Sequence, residues 1–237
     1  MRLKVFRWSP GATAERFDDF SVEAGVYTTV LDALAEIRER HAPDLAFRYA
    51  CRVGMCGSCA MVVDGRERWA CRTRLRSVAG AGATVTLRPL YHFPLIRDLV
   101  VDMTPFVEKM RAAAGAFAPR RPAGPDVATI SSGSAERRAI DPAIECIGCG
   151  ACVSACTMVR WDPKFPGPAA LNRAFTLLAD SRDAGSAAQV PAVFGEDGVW
   201  RCHGQAQCTA VCPMEISPAD SILRLRRKAV RALFSRV

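Results

Sequence analysis

Two runs of cysteine in the second half of this chain constrain it more than anything else does. The first is Cys146-Ile-Gly-Cys149-Gly-Ala-Cys152-Val-Ser-Ala-Cys156, a C-x2-C-x2-C-x3-C spacing. The second is Cys202-His-Gly-Gln-Ala-Gln-Cys208-Thr-Ala-Val-Cys212-Pro213. Laid over one another the runs align, with Gln205 standing where the second copy would have its second cysteine. Three cysteines this close cannot all face one metal from an extended strand, where successive side chains point to opposite faces. A loop lets each thiolate turn inward, so the spacing predicts turns at both runs.

The first spacing is that of iron–sulfur ligands, in which the fourth cysteine of a run ligates the other cluster of a pair. Applying that crossover, Cys146, Cys149 and Cys152 take Cys212 as the fourth ligand of a [4Fe–4S] site. Cys202 and Cys208 take Cys156. Gln205 supplies no thiolate there, and a cubane short of one corner ligand tends to lose that iron, which predicts a [3Fe–4S] site. Upstream, Cys51-Arg-Val-Gly-Met-Cys56-Gly-Ser-Cys59 with the later Cys71 has the C-x4-C-x2-C spacing of a plant-type [2Fe–2S] site. On spacing alone, these four cysteines also suit a zinc ion. Cys71 taken singly also suits a buried strand position. Gly54 and Gly57 are expected to leave room for backbone amides to approach the cluster sulfurs, contacts that help set a reduction potential.

Composition narrows the classes. Eleven cysteines is an odd number for a closed disulfide framework. Met1-Arg-Leu-Lys-Val-Phe-Arg-Trp8 lacks the pattern of a secretory signal, so metal ligation in a reducing compartment is expected. No run of about 18 apolar residues predicts a membrane-spanning helix. The formal charge of +8 counts every cysteine as neutral. Ligating thiolates are deprotonated, and three bound clusters would bring the total to roughly +2. The arginines are scattered, so no nucleic-acid partner is expected.

Coarse patterning gives a mixed first half. Leu3 and Val5, then Phe20 and Val22, read as a hairpin turning near Ser9-Pro10-Gly11. Val30, Leu34 and Ile37 fall on one face of a helix with a threonine available as N-cap. Ala60–Val63 and Trp69–Cys71 read as strands joined at Asp64-Gly65, and Thr84–Leu87 as a last strand. Residues 91–102 read as a bridge and 111–138, rich in Ala, Pro, Gly and Ser, as an irregular connector. Asp141-Pro142 is expected to open a helix leading into Cys146. Helices are also expected over 169–180 and 218–234, with a proline-rich loop at 161–168. Arg224, Arg226, Arg227, Lys228 and Arg231 make the last helix basic: a solvated face, or contact with a membrane surface or acidic partner.

The order of the three cysteine groups resembles the iron–sulfur subunit of succinate dehydrogenase and fumarate reductase, the complex II family. So do Arg97-Asp-Leu-Val-Val-Asp-Met103, Phe165-Pro-Gly-Pro-Ala-Ala170, Asp180-Ser-Arg-Asp183 and Gly198-Val-Trp-Arg-Cys202. The likeness runs along almost the whole chain and is thinnest across 111–140. It implies an α+β chain: a β-grasp plant-type [2Fe–2S] ferredoxin domain over 1–103, an irregular connector over 104–140 and an α-helical ferredoxin domain over 141–237. It implies an electron-transfer subunit between the FAD of a partner flavoprotein, which holds the dicarboxylate, and a quinone. A membrane anchor subunit and a peripheral position on the cytoplasmic face of the inner membrane follow from the same likeness. No G-x-G-x-x-G dinucleotide fingerprint occurs in this chain, in keeping with FAD on the partner.

The resemblance also puts Trp161 and His203 near the quinone, as indole N–H donor and proton-exchanging imidazole. Otherwise they are a packed loop tryptophan and a histidine hydrogen-bonded beside a cluster, with Arg160 a solvated neighbour. One departure stands out: Cys156 is followed by Thr157, where the family commonly has proline. Two other readings remain. One is the same subunit serving a different flavoprotein dehydrogenase. The other is a redox-sensing or zinc-held interaction module, which calls for an effector or DNA-binding domain that the sequence does not display.

Overall fold

The computed structural model describes residues 1–79, 84–114, 116–120, 127–185 and 189–234. In chain order the first elements are β1 (Arg2–Arg7), β2 (Arg16–Ser21), α1 (Val30–Arg40), β3 (Ala60–Val63), β4 (Arg66–Trp69), α2 (Leu75–Val78), β5 (Thr84–Arg88), β6 (Leu95–Arg97) and β7 (Val100–Val101). Helices follow: α3 (Thr104–Ala114), α4 (Ala135–Ile144), α5 (Ala151–Ser154), α6 (Thr157–Trp161), α7 (Pro168–Leu178), α8 (Gln189–Phe194), α9 (Gln207–Ala210) and α10 (Pro218–Phe234), with a 3-10 turn at Val199–Arg201 before α9. By compactness the chain divides into two units, Met1–Met103 with Ile147–Ala155, and Thr104–Cys146 with Cys156–Val237.

The first unit is built on a five-stranded mixed sheet in the order β2-β1-β5-β3-β4. β1 pairs antiparallel with β2 and parallel with β5, so Leu3 lies beside Val85 and Val5 beside Leu87. All four side chains are fully buried, as period-two alternation demands of a strand with one face on a core. α1 buries Val30, Leu31, Ala33, Leu34 and Ile37. Its start is fixed by Thr29, whose hydroxyl accepts from the Asp32 amide while Asp32 accepts from the Thr29 amide; such a capping box contributes about 1 kcal/mol. The β3–β4 turn is Asp64-Gly65, both at positive φ, +47° and +73°, as a two-residue hairpin requires.

Residues 91–102, expected as a bridge, instead include the β6–β7 hairpin. The buried Arg7 guanidinium donates to Asp98 and Asp18 at 3.1 Å each and also to Asp44, while Asp98 accepts the Trp8 and Ala46 amides. A charge this buried persists because several hydrogen-bonding carboxylates surround it. Residues 147–155, expected with a 141–237 domain, pack with this first unit. Ser154 Oγ donates to the buried carboxylate of Glu67 on β4 at 2.7 Å and accepts the Tyr91 amide at 2.9 Å.

The second unit is helical and centred on α7, whose Leu171, Ala174, Phe175 and Leu177 pack with Ile140, Phe165, Ile222 and Leu225. Buried Asn172 ties three helices: it donates to the Ala143 carbonyl at 2.9 Å and accepts from Ser221 Oγ at 2.8 Å. Two expectations are corrected here. Thr104–Ala114 within the expected connector is a helix; Pro105 sits in its first turn, where no amide is needed, and good helix formers follow. And α4 begins at Ala135, capped by Ser134, not at Asp141. Asp141 pairs with Arg137 one turn back, and Pro142 lies inside the helix. The connector is held where Ala118 and Arg120 pair with residues 182–184; its residues 121–126 lie outside the described residues. β4 ends at Trp69, so Cys71 follows the strand and is not part of it.

Candidate metal centres

No disulfide joins any of the eleven cysteines, all of which lie among the described residues. Cys51, Cys56, Cys59 and Cys71 come together in the first unit. Positive φ at Arg52, Gly54 and Gly57 curls the loop so that amides face sulfur. Cys51 Sγ accepts from the Met55 and Cys56 amides at 3.3 Å and from Val53 at 3.5 Å, and Cys56 Sγ accepts from Cys51 at 3.5 Å. Cys59 enters β3, and its carbonyl takes the Ala70 amide at 3.1 Å, which brings the Cys71 end of β4 alongside. Burial pushes the Cys59 thiol up to about 12, with the Cys71 and Cys56 charges adding to the shift. Hydrogen bonds, those of Ser58 foremost, hold Cys56 at about 6.

Crowded thiols that resist sharing negative charge suit a cationic core, which deprotonates its ligands on binding. The four residues therefore fit a two-iron cluster. The two glycines that let this loop curl also lie against protein neighbours. A Cβ at Gly54 would meet Arg72 Cγ at 2.8 Å and the Trp69 ring at 3.1 Å. One at Gly57 would meet Cys149 Cβ at 2.7 Å and Cα at 2.9 Å.

The two later runs fold alike. Cys149 lies between Gly148 and Gly150 at φ +66° and +82°, and the helix α5 follows at once. Gln205 lies between Gly204 and Ala206 at φ +72° and +57°, and α9 follows at once. The alignment read from cysteine spacing is thus repeated in the backbone, and Gln205 rides on the turn that presents Cys149 in the other copy. Its carboxamide oxygen accepts a hydrogen bond from Thr157 Oγ1 at 2.7 Å.

Cys156, Cys202 and Cys208 come together in the second unit. Burial raises the Cys156 thiol, with the Cys202 charge adding; burial raises Cys208 to about 11, with Cys156 and Cys202 adding. Cys202 Sγ accepts the Gly204 amide at 3.4 Å. These three thiols, beside a turn that offers no fourth, can each ligate metal once deprotonated. Of the remaining set, Cys152 is buried, Cys149 and Cys212 half-buried and Cys146 exposed; Cys149 and Cys152 fall in the first unit, Cys146 and Cys212 in the second.

Sequence reasoning missed the cations around the three-thiol set. Lys109 on α3 donates to the Phe165 carbonyl at 2.8 Å; burial lowers its pKa, while the charges of Asp162 and Cys156 oppose that. Arg226 on α10 donates to the carbonyls of Val199 at 2.9 Å, Trp200 and Cys202, fixing the turn that carries Cys202. Arg224 pairs with Asp220 at 2.7 Å and Lys228 donates to the Leu178 carbonyl at 2.7 Å. Part of the basic helix is therefore internal scaffolding. No pattern signals this, because the partners are backbone carbonyls remote in sequence. Trp161 ends α6, is 74% exposed and lies under the Arg160 guanidinium; His203 is also exposed.

Comparison with known proteins agrees with this geometry. The 2Fe-2S iron-sulfur cluster binding domain model matches residues 2–108, and the 4Fe-4S dicluster domain model matches residues 142–216. The fumarate reductase iron-sulfur subunit of Haemophilus influenzae is 34% identical over 233 residues, 94% of this chain and 90% of that protein. The mitochondrial succinate dehydrogenase iron-sulfur subunit 2 of Oryza sativa is 36% identical over 229 residues, 94% of this chain and 73% of that protein. A chain of the Mycobacterium smegmatis Sdh1 complex in the apo form superposes with a TM-score of 0.88 at 29% identity, covering 98% of this chain and 96% of that one. With two ferredoxin-type regions, three cysteine groups and identity of this extent, the chain belongs to the family of succinate dehydrogenase and fumarate reductase iron–sulfur subunits.

Proposed function

We propose that this chain conducts electrons between the FAD of a partner flavoprotein and a quinone, as the iron–sulfur subunit of a succinate:quinone oxidoreductase or a fumarate-reducing relative. Clusters, when bound, exchange single electrons, which is what lies between a two-electron flavin and a quinone. Cys51, Cys56, Cys59 and Cys71 hold [2Fe–2S]; Cys146, Cys149, Cys152 and Cys212 hold [4Fe–4S]; Cys156, Cys202 and Cys208 hold [3Fe–4S]. The observation that supports the reading is the repeated turn around Cys149 and Gln205: 142–216 holds seven cysteines, one short of the eight that a pair of four-iron clusters needs, and the missing one falls at Gln205. The surrounding amides and cations do what this chain itself does: they orient sulfur, exclude water and offset negative charge.

Trp161 and His203 are proposed to lie at the quinone, the first as a hydrogen-bond donor and the second exchanging a proton. Both are exposed, in the unit that holds the three-cysteine set. A membrane anchor subunit completes the assembly, with this chain peripheral on the cytoplasmic face of the inner membrane. Among the described residues no helix is long and apolar enough to cross a membrane. The test is anaerobic purification of the complex with EPR and flavin analysis. A three-iron signal in the oxidised state, a two-iron signal on reduction and a co-purifying covalent flavoprotein are expected. A colourless, iron-free preparation, or a partner without flavin, overturns the reading.

A further inference from the structure

Gln205 and Thr157 are joined to each other. One stands where a fourth thiolate is missing; the other stands directly after Cys156, a ligand of the same set. Thr157 Oγ1 donates to Gln205 Oε1 at 2.7 Å, so the bond staples the loop after Cys156 to the loop between Cys202 and Cys208. The turn that carries Gln205 is the turn that carries the ligand Cys149, including two consecutive-but-one residues at positive φ. In the run over 146–156 the residue at the centre of that turn is Cys149, which would hold a cluster by its thiolate. A carboxamide oxygen there is a hard, neutral donor able to complete the coordination of an added ferrous ion, though less well than a thiolate.

We propose that the Thr157–Gln205 hydrogen bond is a lock on cluster nuclearity. By engaging Oε1, the threonine hydroxyl keeps the carboxamide from acting as a fourth ligand and so keeps the site at three irons. A proline at 157 has no hydroxyl to give, and a hydrophobic residue at 205 needs no lock. Thr157 is thus a positioning residue, acting through Gln205. Uptake of the fourth iron takes one electron from an added reductant and one Fe(II) ion, and breaks no bond in the chain. The proposal rests on the three-iron reading of the Cys156, Cys202 and Cys208 set.

The experiment is an anaerobic Fe(II) titration of the purified holo-complex with dithionite present, followed by reoxidation and EPR. Wild type and the variants Thr157→Val, Thr157→Ser and Thr157→Val with Gln205→Leu are compared, and the two-iron signal on reduction serves as the check on folding. Loss of one neutral hydrogen bond corresponds to about a three- to tenfold change in equilibrium. Thr157→Val is therefore expected to lose its three-iron signal at about three- to tenfold lower Fe(II) than wild type. Thr157→Ser, which keeps the hydroxyl, should titrate like wild type, and the double variant should resist again because its oxygen is gone. If Thr157→Val titrates like wild type, or the double variant titrates like Thr157→Val, the lock is overturned and the three-iron site stands. If wild type has no three-iron signal at the outset, the underlying reading fails instead.

Discussion

The loops over 146–152 and 202–208 trace one backbone path and do opposite things with it. Both bend through two left-handed residues around a central position, and both run into a single helical turn. In the first the centre is a thiol, and the bend is made by two glycines, the second pressed against neighbours: a Cβ at Gly150 would meet Phe93 Cζ at 3.0 Å and Leu90 and Met103 at 3.4 Å. In the second the centre is a carboxamide, Gly204 faces open space, and Ala206 accepts a left-handed conformation that costs an L-residue about 1 kcal/mol. Ligand number can therefore change without the scaffold changing. On the ligand sets proposed above, the backbone defines where a donor goes and the side chain at its centre sets the donor.

The largest expected effect is the direct exchange of that side chain. Gln205→Cys should convert the three-iron site to [4Fe–4S], abolishing the oxidised three-iron EPR signal and raising the iron content. An unchanged signal would break the equivalence of the two turns. Next in size is the asymmetry between the glycines. Gly150→Ala combines a left-handed alanine with a crowded Cβ and should destabilise the holo-protein by about 2–3 kcal/mol in denaturant unfolding. Gly204→Ala meets nothing and should cost only about 1 kcal/mol. Equal losses at the two positions would mean that the surrounding packing does not differ as described. Smallest is Ala206→Gly, which relieves the left-handed alanine and should stabilise by about 0.5–1 kcal/mol, seen as a rise in the unfolding midpoint with spectra unchanged.

What the sequence discloses and what it conceals divide along a physical line. Cysteine spacing, the Thr29 cap, the Asp64-Gly65 turn and the alternation in β1 are local, each written within a few residues, and each appears in the structure. The alignment of Gln205 with Cys149 is local too, and the backbone repeats it. Lys109 on the Phe165 carbonyl, Arg226 on the carbonyls around Cys202 and the Thr157–Gln205 bond join residues from 24 to 56 positions apart. No pattern within a window reports them. Asp141-Pro142 misleads for a related reason: the pair has the chemistry of a helix start, but Asp141 is engaged by Arg137 and Ser134 caps the helix about two turns earlier. Only the fold reveals that Gly57 lies against Cys149, 92 positions away.

The recruitment of Ile147–Ala155 into the first unit bears on how the chain is made. That unit lacks one of its pieces until about fifty further residues beyond Met103 have been synthesised. At ribosomal rates of about 5–20 residues per second, this leaves roughly 3–10 s in which the sheet exists while the surface beside Gly57 is bare. Until then, Gly57 in the loop of Cys51 to Cys59 lacks the neighbour it has in the finished fold. Once Cys149 arrives against Gly57, that flank is closed.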